Sequence, residues 1–503
     1  MKPLKVAVIG AGAAGYFTAA AIKHNVPNVE VEIYYDPKIK HIGVGESLGF
    51  SAKNFFKDTL GLDNEDWMTE SQSTHKLGIR FYGWNNSDKP WYMGPGAAMF
   101  SNFTNREKGY TIEDIWFDLY KKGERRAEDY HYDFPFALYC ANRVPLNRQQ
   151  HSYHINVEYI RETVHNKVGK PAGVIERPIP VKEVVVKDNA IDYLLLDDNT
   201  ELRADLYIDC TGFQRLMVNK LPFEFTAYPD HFNNCAIVGP HKYEDESEFN
   251  RPWTDHYAMD WGWSFSVPLA QRSGEGYIFN KNIYNGDVDR LVSEWETKRG
   301  MKNTIGRVIS WEPGHCKNIM VGNCVVIGLG FGMLDAFDAN VFTTTMKFIT
   351  RLVDHLKQDD TMSLNWREQY NAFARRAVDD IELRINTGFH LAPKNDTPYW
   401  QYMKEAGKKF DTLNKSINTL FTEERRFRPL ELYTPQYSLI EFLVYYGVDL
   451  SVINKPRSDY TLFTEQQALN MFKTVNKIHR SMDLSNCDRL LPRRSSMDRI
   501  ALS

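Results

Sequence analysis

Residues 4–15 decide the fold and read Leu4-Lys-Val-Ala-Val-Ile-Gly-Ala-Gly-Ala-Ala-Gly15. The continuous apolar run before the glycines is typical of a buried parallel strand, and the residues after them favour a helix. A second predicted strand covers residues 29–35, and Asp36 comes about 21 residues after Gly15. In this strand–turn–helix–strand context, a G-x-G-x-x-G motif predicts a dinucleotide-binding site.

The three glycines have separate physical roles in such a turn. Gly10 permits the tight bend, Gly12 lets the backbone approach a pyrophosphate, and Gly15 lets the helix pack closely on the strand. The N-terminus of the helix then receives the negative charge of the phosphates. The stretch therefore predicts an α/β, Rossmann-like nucleotide-binding domain.

Composition excludes several other classes of protein. The 503 residues are 43% hydrophobic and 25% charged, and the net charge of −4 gives no field that attracts nucleic acid or an anionic membrane. The six cysteines include no C-x-x-C pair, so no metal site is expected. No apolar run reaches the roughly 18 residues of a membrane-spanning helix. We expect a cytoplasmic protein with reduced thiols, and both a monomer and a homo-oligomer stay open.

Later strand ends favour FAD over a nicotinamide cofactor. Residues 205–213 form a predicted strand that ends in Thr-Gly, residues 324–332 form another that leads into a glycine turn, and residues 43–47 form a further glycine-rich turn. Such returns to one sheet edge suit FAD laid across an interrupted sheet better than a compact NAD domain. The predicted cofactor-binding residues are Gly10, Gly12, Ala13, Ala14, Gly15, Asp36, Gly43, Val44, Gly45, Glu46, Ser47, Gly328 and Leu329.

The remaining patterns suggest a division of the chain. Residues 1–345 are interpreted as an FAD-binding module of the flavin monooxygenase type. Two substrate-binding segments interrupt it: a proline- and glycine-containing loop or lid at about 85–150, and a strand-rich region at about 223–313. Residues 346–503 are predicted to form a mostly helical substrate-binding or cap region.

One central stretch, residues 260–268 (DWGWSFSVP), places Trp261, Trp263 and Phe265 at alternate positions. In a strand, this spacing puts all three rings on one face. The rings either fill a core or wall off a cavity. By residue type alone the core interpretation is favoured.

Several motifs, taken together and in order, resemble those of flavin-dependent halogenases of the tryptophan halogenase type. They lie at residues 10–15, 42–47, 74–81, 152–156, 208–213, 262–268, 327–338 and 396–400. The resemblance implies that a separate reductase supplies reduced FAD, which with dioxygen converts a halide ion to hypohalous acid. This acid would then travel through the protein to an electron-rich aromatic substrate.

The resemblance also assigns roles to particular residues. It makes Lys76 the lysine that positions hypohalous acid, Asp338 the catalytic carboxylate, Asn340 and Val341 the backbone halide contacts, and Trp263 and Phe265 the wall between flavin and substrate. Hypohalous acid is an indiscriminate oxidant, so it must be held at one substrate position. A lysine can do this by hydrogen bonding or as a haloamine, and a carboxylate can stabilise and deprotonate the cationic ring intermediate.

Departures from the family pattern point to a divergent member. Asp338 stands where the family usually has Glu, and Tyr35 stands where the second strand usually ends in an acid, with Asp36 beside it. The substrate and halide therefore need not be tryptophan and chloride. Two alternatives stay open: a single-component flavin aromatic hydroxylase, and a catalytically inactive flavin-binding protein. Without the resemblance, Lys76 would be expected at the surface.

Overall fold

The computed structural model describes most of the chain. The described residues are 3–39, 43–49, 51–62, 67–87, 89–93, 116, 119–126, 129, 151–243, 251–301, 306–359, 361–411, 415, 436–448, 466, 467, 469, 470, 472 and 473. Most of the predicted lid at 85–150 lies outside these residues, as do Cys140 and Cys487. The other four cysteines, Cys210, Cys235, Cys316 and Cys324, are buried and free, as expected.

A mostly parallel sheet contains the predicted nucleotide-binding unit. The strand Lys5–Ile9 lies at its centre and pairs in parallel with Glu30–Tyr34 on one side and Leu206–Asp209 on the other. The helix Ala13–Asn25 connects the first two strands. In spatial order the six strands are Met320–Val321, Cys324–Val326, Leu206–Asp209, Lys5–Ile9, Glu30–Tyr34 and Ile175–Arg177. The chain thus returns to this sheet from distant segments, which confirms the predicted Rossmann-like α/β fold.

A second, seven-stranded sheet lies against the first through the main core. In spatial order its strands are Arg307–Ser310, Cys235–Lys242, Arg272–Phe279, Gly262–Pro268, Trp253–Ala258, Gly78–Tyr82 and Trp91–Met93. Because side chains alternate along a strand, the sheet has two distinct faces. Tyr277 packs with Trp295 of the helix Val288–Arg299 on one face. Trp263 and Ile278 belong to the main core on the other.

Three smaller sheets complete the strands. They are Glu46–Ser47 with Ser152–Ile155 and Thr74–Lys76, then Glu201–Leu202 with Ala190–Leu196 and Val181–Lys187, and last Phe225–Ala227 with Gly314–Cys316 and Gly332–Met333. The first of these holds Lys76 beside Ser152 in an antiparallel pair. The strands between residues 223 and 313 agree with the strand-rich region expected there.

Helices cover the parallel sheet and dominate the later part of the chain. The remaining α-helices are Ala52–Asn54, Trp67–Glu70, Val157–Val164, Lys170–Ala172, Asn340–Leu356, Leu364–His390, Pro398–Lys408 and Gln436–Tyr445. Two π-helical turns are Phe55–Thr59 and His165–Gly169, and short 3₁₀ turns are Gly212–Gln214, Val218–Lys220, Gly328–Gly330 and Phe337–Ala339. The helix Asn340–Leu356 spans residue 345, so the two predicted domains share an element there, and the division stays a prediction. Within the described residues no helix is long and apolar enough to cross a membrane.

Candidate active site

A cavity of about 790 Å³ lies where the parallel sheet meets the seven-stranded sheet. Its walls include the turns after three parallel strands, at Gly10, Thr211 and Gly328. The carboxyl ends of parallel strands are where nucleotide cofactors bind in such sheets. The volume is within the range of cofactor sites.

The glycine turn leaves room for a cofactor at one end of this cavity. Gly10 has φ +108°, and a Cβ there would lie 2.5 Å from the Cys210 carbonyl oxygen. A Cβ on Gly15 would lie 1.9 Å from the Gly10 oxygen, so only glycine allows the helix to pack this closely. Gly12 differs, because a Cβ added there meets nothing within 4 Å and would project into the cavity that Gly12 lines. No side chain of the described residues caps the helix that starts there. These features fit a pyrophosphate at the helix N-terminus.

Most of the predicted cofactor-binding residues line this cavity. Those in its wall are Gly10, Gly12, Ala13, Ala14, Asp36, Val44, Gly45, Glu46, Ser47, Gly328 and Leu329. Gly15 and Gly43 are not among the described lining residues: Gly15 packs against the turn, and a Cβ on Gly43 would lie 3.3 Å from Val157. One carboxylate oxygen of Asp36 accepts a hydrogen bond from the Lys38 N–H at 2.8 Å.

Two acids in the cavity wall have raised pKa values. Glu46 lies deep in the protein but faces the cavity, and burial raises the pKa of its carboxyl to about 7. Asp335 is 0% exposed, and burial raises the pKa of its carboxyl to about 7 although hydrogen bonds oppose the shift. Those bonds come from the backbone N–H and side-chain amide of Asn233, at 3.1 and 2.8 Å, and from the Phe337 N–H at 3.0 Å.

Asp335 was not predicted from the sequence, although the signal was present. It stands in the same apolar run as Asp338, between Leu334 and Ala336. The reasoning that an acid in such a run needs a partner or a function applies equally to both. Asp338 lies in the 3₁₀ turn Phe337–Ala339, between cavity-lining residues Ala336 and Ala339. Its side chain lies outside the described atoms.

The predicted halide contacts, Asn340 and Val341, line the cavity in the first turn of the helix Asn340–Leu356. Ala339 precedes this helix with φ +55° and gives it no side-chain cap. The Asn340 side-chain amide donates to the carbonyl oxygens of Asp335 and Phe337, at 3.1 and 2.8 Å. The backbone dipoles of a helix N-terminus favour an anion at this place.

Lys76 is inside the protein, contrary to the expectation from residue type alone. Its side chain is 2% exposed, and its ammonium donates to the Leu48 carbonyl oxygen at 3.0 Å. It is not among the described residues that line the cavity. Two buried histidines lie nearby: burial and then the Lys76 charge lower the pKa of both His154 and His256 well below 6.5.

The face of the seven-stranded sheet that meets the cavity carries Trp263 and Phe265, as predicted from their alternate spacing. Trp263 packs against Trp84 and Phe337, with ring centroids 6.3 and 5.7 Å apart. It is therefore both a core residue and part of the cavity wall. Trp261 does not extend this stripe, because the strand begins at Gly262 and the Trp261 ring packs on Tyr284 instead.

A hydrogen-bonded row that was not predicted runs from the cavity toward Lys76. Thr254 and Ser47 line the cavity, and their hydroxyl oxygens are 2.8 Å apart. His154 Nε2 lies 3.0 Å from the Thr254 oxygen, and its Nδ1 lies 3.2 Å from the Thr74 oxygen. Since these residues come from separate strands, no local sequence pattern indicates their contact. As expected, no cluster of metal-ligating side chains occurs among the described residues.

Comparison with known proteins identifies the family. The family model for tryptophan halogenase matches residues 5–449. A tryptophan 7-halogenase from Lentzea aerocolonigenes is 25% identical over 421 residues, which cover 80% of this chain and 79% of that protein. A tryptophan 6-halogenase from Streptomyces toxytricini is 25% identical over 452 residues, covering 80% of this chain and 81% of that one.

Solved structures of halogenases share the fold. The crystal structure of the Streptomyces toxytricini enzyme superposes with a TM-score of 0.82 at 23% identity and covers 100% of both chains. A flavin-dependent halogenase from Xanthomonas campestris gives a TM-score of 0.81 at 19% identity, covering 99% of this chain and 98% of that one. Together with a family match over nearly the whole chain, this likeness means that the chain belongs to the tryptophan halogenase family and is an FAD-dependent halogenase, with halide as its co-substrate.

Proposed function

We propose that this halogenase works with a separate flavin reductase and delivers hypohalous acid to Lys76, which holds it beside an electron-rich aromatic substrate such as an indole or a phenol. The observation that carries this proposal is the burial of Lys76. A lysine is rarely buried without a partner or a function, because desolvation of an ammonium is costly. A buried ammonium beside a carbonyl oxygen can hold a small oxidant in one place.

The cavity residues fit FAD. When bound in reduced form, FAD supplies with dioxygen the oxidising equivalent that turns halide into hypohalous acid. Gly10 to Ala14 would hold the pyrophosphate, and Asp36 the ribose. The segment from Gly43 to Ser47, together with Gly328 and Leu329, would lie along the ring system. Halide would bind the backbone N–H groups of Asn340 and Val341 at the helix N-terminus.

The aromatic wall and the carboxylate complete the proposal. Trp263 and Phe265 occupy the cavity face where they can keep an organic substrate away from the flavin, while a small oxidant passes. This separation supports halogenation over direct hydroxylation, which needs the substrate against the flavin. Asp338 would stabilise and deprotonate the cationic ring intermediate. Lys76 acts either by hydrogen bonding or as a haloamine.

The remaining expectations from the sequence are carried forward as proposals. They are a cytoplasmic location, a transient complex with the reductase, no nucleic-acid or membrane partner, and division into residues 1–345 and 346–503.

The test is a reconstituted reaction. The protein is incubated with FAD, a flavin reductase, NADH, bromide and a panel of indoles, phenols and anilines, and product masses are read. We expect a product with the bromine isotope pair, which is lost in Lys76→Ala and in Lys76→Met. The methionine variant keeps most of the buried volume, so loss of activity there does not reflect a packing defect.

Lys57→Ala is the matched control, because Lys57 is exposed and lies on the nearby helical turn Phe55–Thr59. It should brominate at the wild-type rate. Gain of one oxygen without halogen would instead indicate a hydroxylase. Halogenated product that persists in Lys76→Met would remove Lys76 from the mechanism.

A further inference from the structure

His256 stands between two phenylalanines on the cavity face of the seven-stranded sheet. Its strand pairs with the neighbouring strands so that His256 lies opposite Phe81 on one side and Phe265 on the other. Its ring lies 5.1 Å from the Phe81 ring, 4.7 Å from Trp263 and 5.6 Å from Phe337. An imidazole thus occupies a place in an aromatic row where a purely apolar ring would pack as well.

The imidazole is buried, yet one of its nitrogens is unsatisfied. His256 is 3% exposed and lines the cavity, and no group in the described part of the chain hydrogen-bonds its Nδ1. Buried polar atoms are paired in most folded proteins, because an unmade hydrogen bond costs stability. A nitrogen kept unpaired in a cavity wall therefore indicates a small ligand that pairs with it.

The position of His256 also links the cavity to Lys76. Thr254 and His256 lie two residues apart on one strand face, and both line the cavity. Burial, then the charges of Lys76 and Arg384, lower the pKa of His256 well below 6.5. The ring is therefore neutral near pH 7 and keeps a lone pair on one nitrogen, which can accept a hydrogen bond.

We propose that His256 is an additional binding residue for hypohalous acid, accepting its O–H on the way from the flavin cavity to Lys76. This inference rests on the proposed function, since it presumes that the oxidant travels to Lys76. It adds a residue for which neither the family pattern nor the sequence motifs supplied a role. The neutral imidazole accepts one hydrogen bond and leaves the oxidant's halogen directed elsewhere, so no bond is formed or broken at this step.

The test compares His256→Phe with His256→Gln. Phenylalanine keeps an aromatic ring among Phe81, Trp263 and Phe337 but removes both nitrogens, whereas glutamine restores an acceptor. A flavin reductase, NADH, bromide, the aromatic substrate and a small β-diketone that traps free hypobromous acid are supplied together. In His256→Phe we expect the halogen fraction reaching the aromatic product to fall about three- to tenfold, the effect of one lost hydrogen bond. The trapped fraction should rise correspondingly, and His256→Gln should recover part of the loss.

Two further measurements separate binding from folding and from failure of the proposed function. Flavin fluorescence titration should give the same FAD affinity for His256→Phe as for the control Tyr257→Phe, which changes the other face of the same strand. In flavin-free protein carrying ¹⁵N-histidine, the His256 signal, assigned by its loss in His256→Phe, should shift when hydrogen peroxide is added as a stable O–H donor.

An unchanged product fraction in His256→Phe, or no ¹⁵N shift with peroxide, would overturn the role of His256. Absence of any hypobromous acid or brominated product from the wild type would instead refute the proposed function, while the ¹⁵N measurement still reports on His256.

Discussion

Gly10 and Gly12 stand two residues apart in one turn, yet the structure predicts opposite consequences for their replacement by alanine. Gly12→Ala should leave folding nearly unchanged. Gly12 has φ −73° and ψ −179°, which any residue adopts, and its added Cβ meets no protein atom within 4 Å. Loss of a favourable N-cap glycine and the lower entropy of the unfolded chain are each about 1 kcal/mol or less and oppose each other.

The same methyl group would occupy the cavity where the pyrophosphate approaches. FAD affinity should therefore fall about tenfold or more, which is about 1.4 kcal/mol or more. Gly10→Ala should act on the fold instead. Its Cβ would lie 2.5 Å from the Cys210 carbonyl oxygen, and its φ of +108° is unfavourable for alanine. Strain and overpacking together should cost roughly 2–5 kcal/mol.

Thermal unfolding followed by circular dichroism measures the first effect, and quenching of flavin fluorescence on titration measures the second. Gly12→Ala should unfold within about 2 °C of the wild type, while Gly10→Ala should unfold several degrees lower. If Gly12→Ala binds FAD with wild-type affinity, the pyrophosphate does not lie against this turn. If both variants lose the same thermal stability, the distinction drawn from the two Cβ positions is incorrect.

Three further predictions concern the cavity wall. Because Asp335 has a folded-state pKa of about 7 against an ordinary value of 3.8, its stabilising contribution is complete below pH 3.8 and lost as the pH rises to about 7, by about 4 kcal/mol or less; urea unfolding between pH 4 and 7.5 should show a shallower decline for Asp335→Asn, and an unchanged slope would mean that Asp335 is ionised throughout. Trp263→Phe should raise the hydrogen peroxide released per NADH consumed, because a smaller ring narrows the wall; unchanged coupling would return Trp263 to a packing role alone. Asp338→Asn should lower turnover at unchanged FAD affinity by flavin fluorescence, whereas lost FAD binding would make Asp338 a structural residue.

The sequence predicted the fold well because the deciding signals are local. The turn at Gly10, the strand Lys5–Ile9 and the helix Ala13–Asn25 all follow from one short stretch with its own steric logic. The alternate spacing of Trp263 and Phe265 likewise fixed that they share a face. The strand's starting residue was not fixed by that pattern, so the fate of Trp261 was not predictable: the turn at Asp260–Trp261 directs its ring to Tyr284.

The polar residues of the site were harder to predict because their partners come from distant segments. Thr254 meets Ser47 across a sequence separation of 207 residues, and His154 meets Thr254 across 100. Nothing in the local pattern around His256 distinguishes it from a core histidine. Its unpaired Nδ1 is visible only once the strands that carry Phe81, Phe265 and Lys76 are assembled around one cavity.

The two acids of the run 334–339 show how far a motif can specify a role. The sequence places Asp335 and Asp338 three residues apart, and the resemblance selects Asp338 as catalytic. In the structure Asp335 is held by Asn233 and by the Phe337 N–H, which opens the 3₁₀ turn carrying Asp338. Asn233 is held in turn by the Tyr399 hydroxyl at 3.1 Å. Asp335 therefore cannot leave its position without breaking this network, and it fixes the turn from which Asp338 and the N–H groups of Asn340 and Val341 project. A loss of halide affinity in Asp335→Asn would follow from this arrangement even though neither carboxylate oxygen of Asp335 need touch the halide.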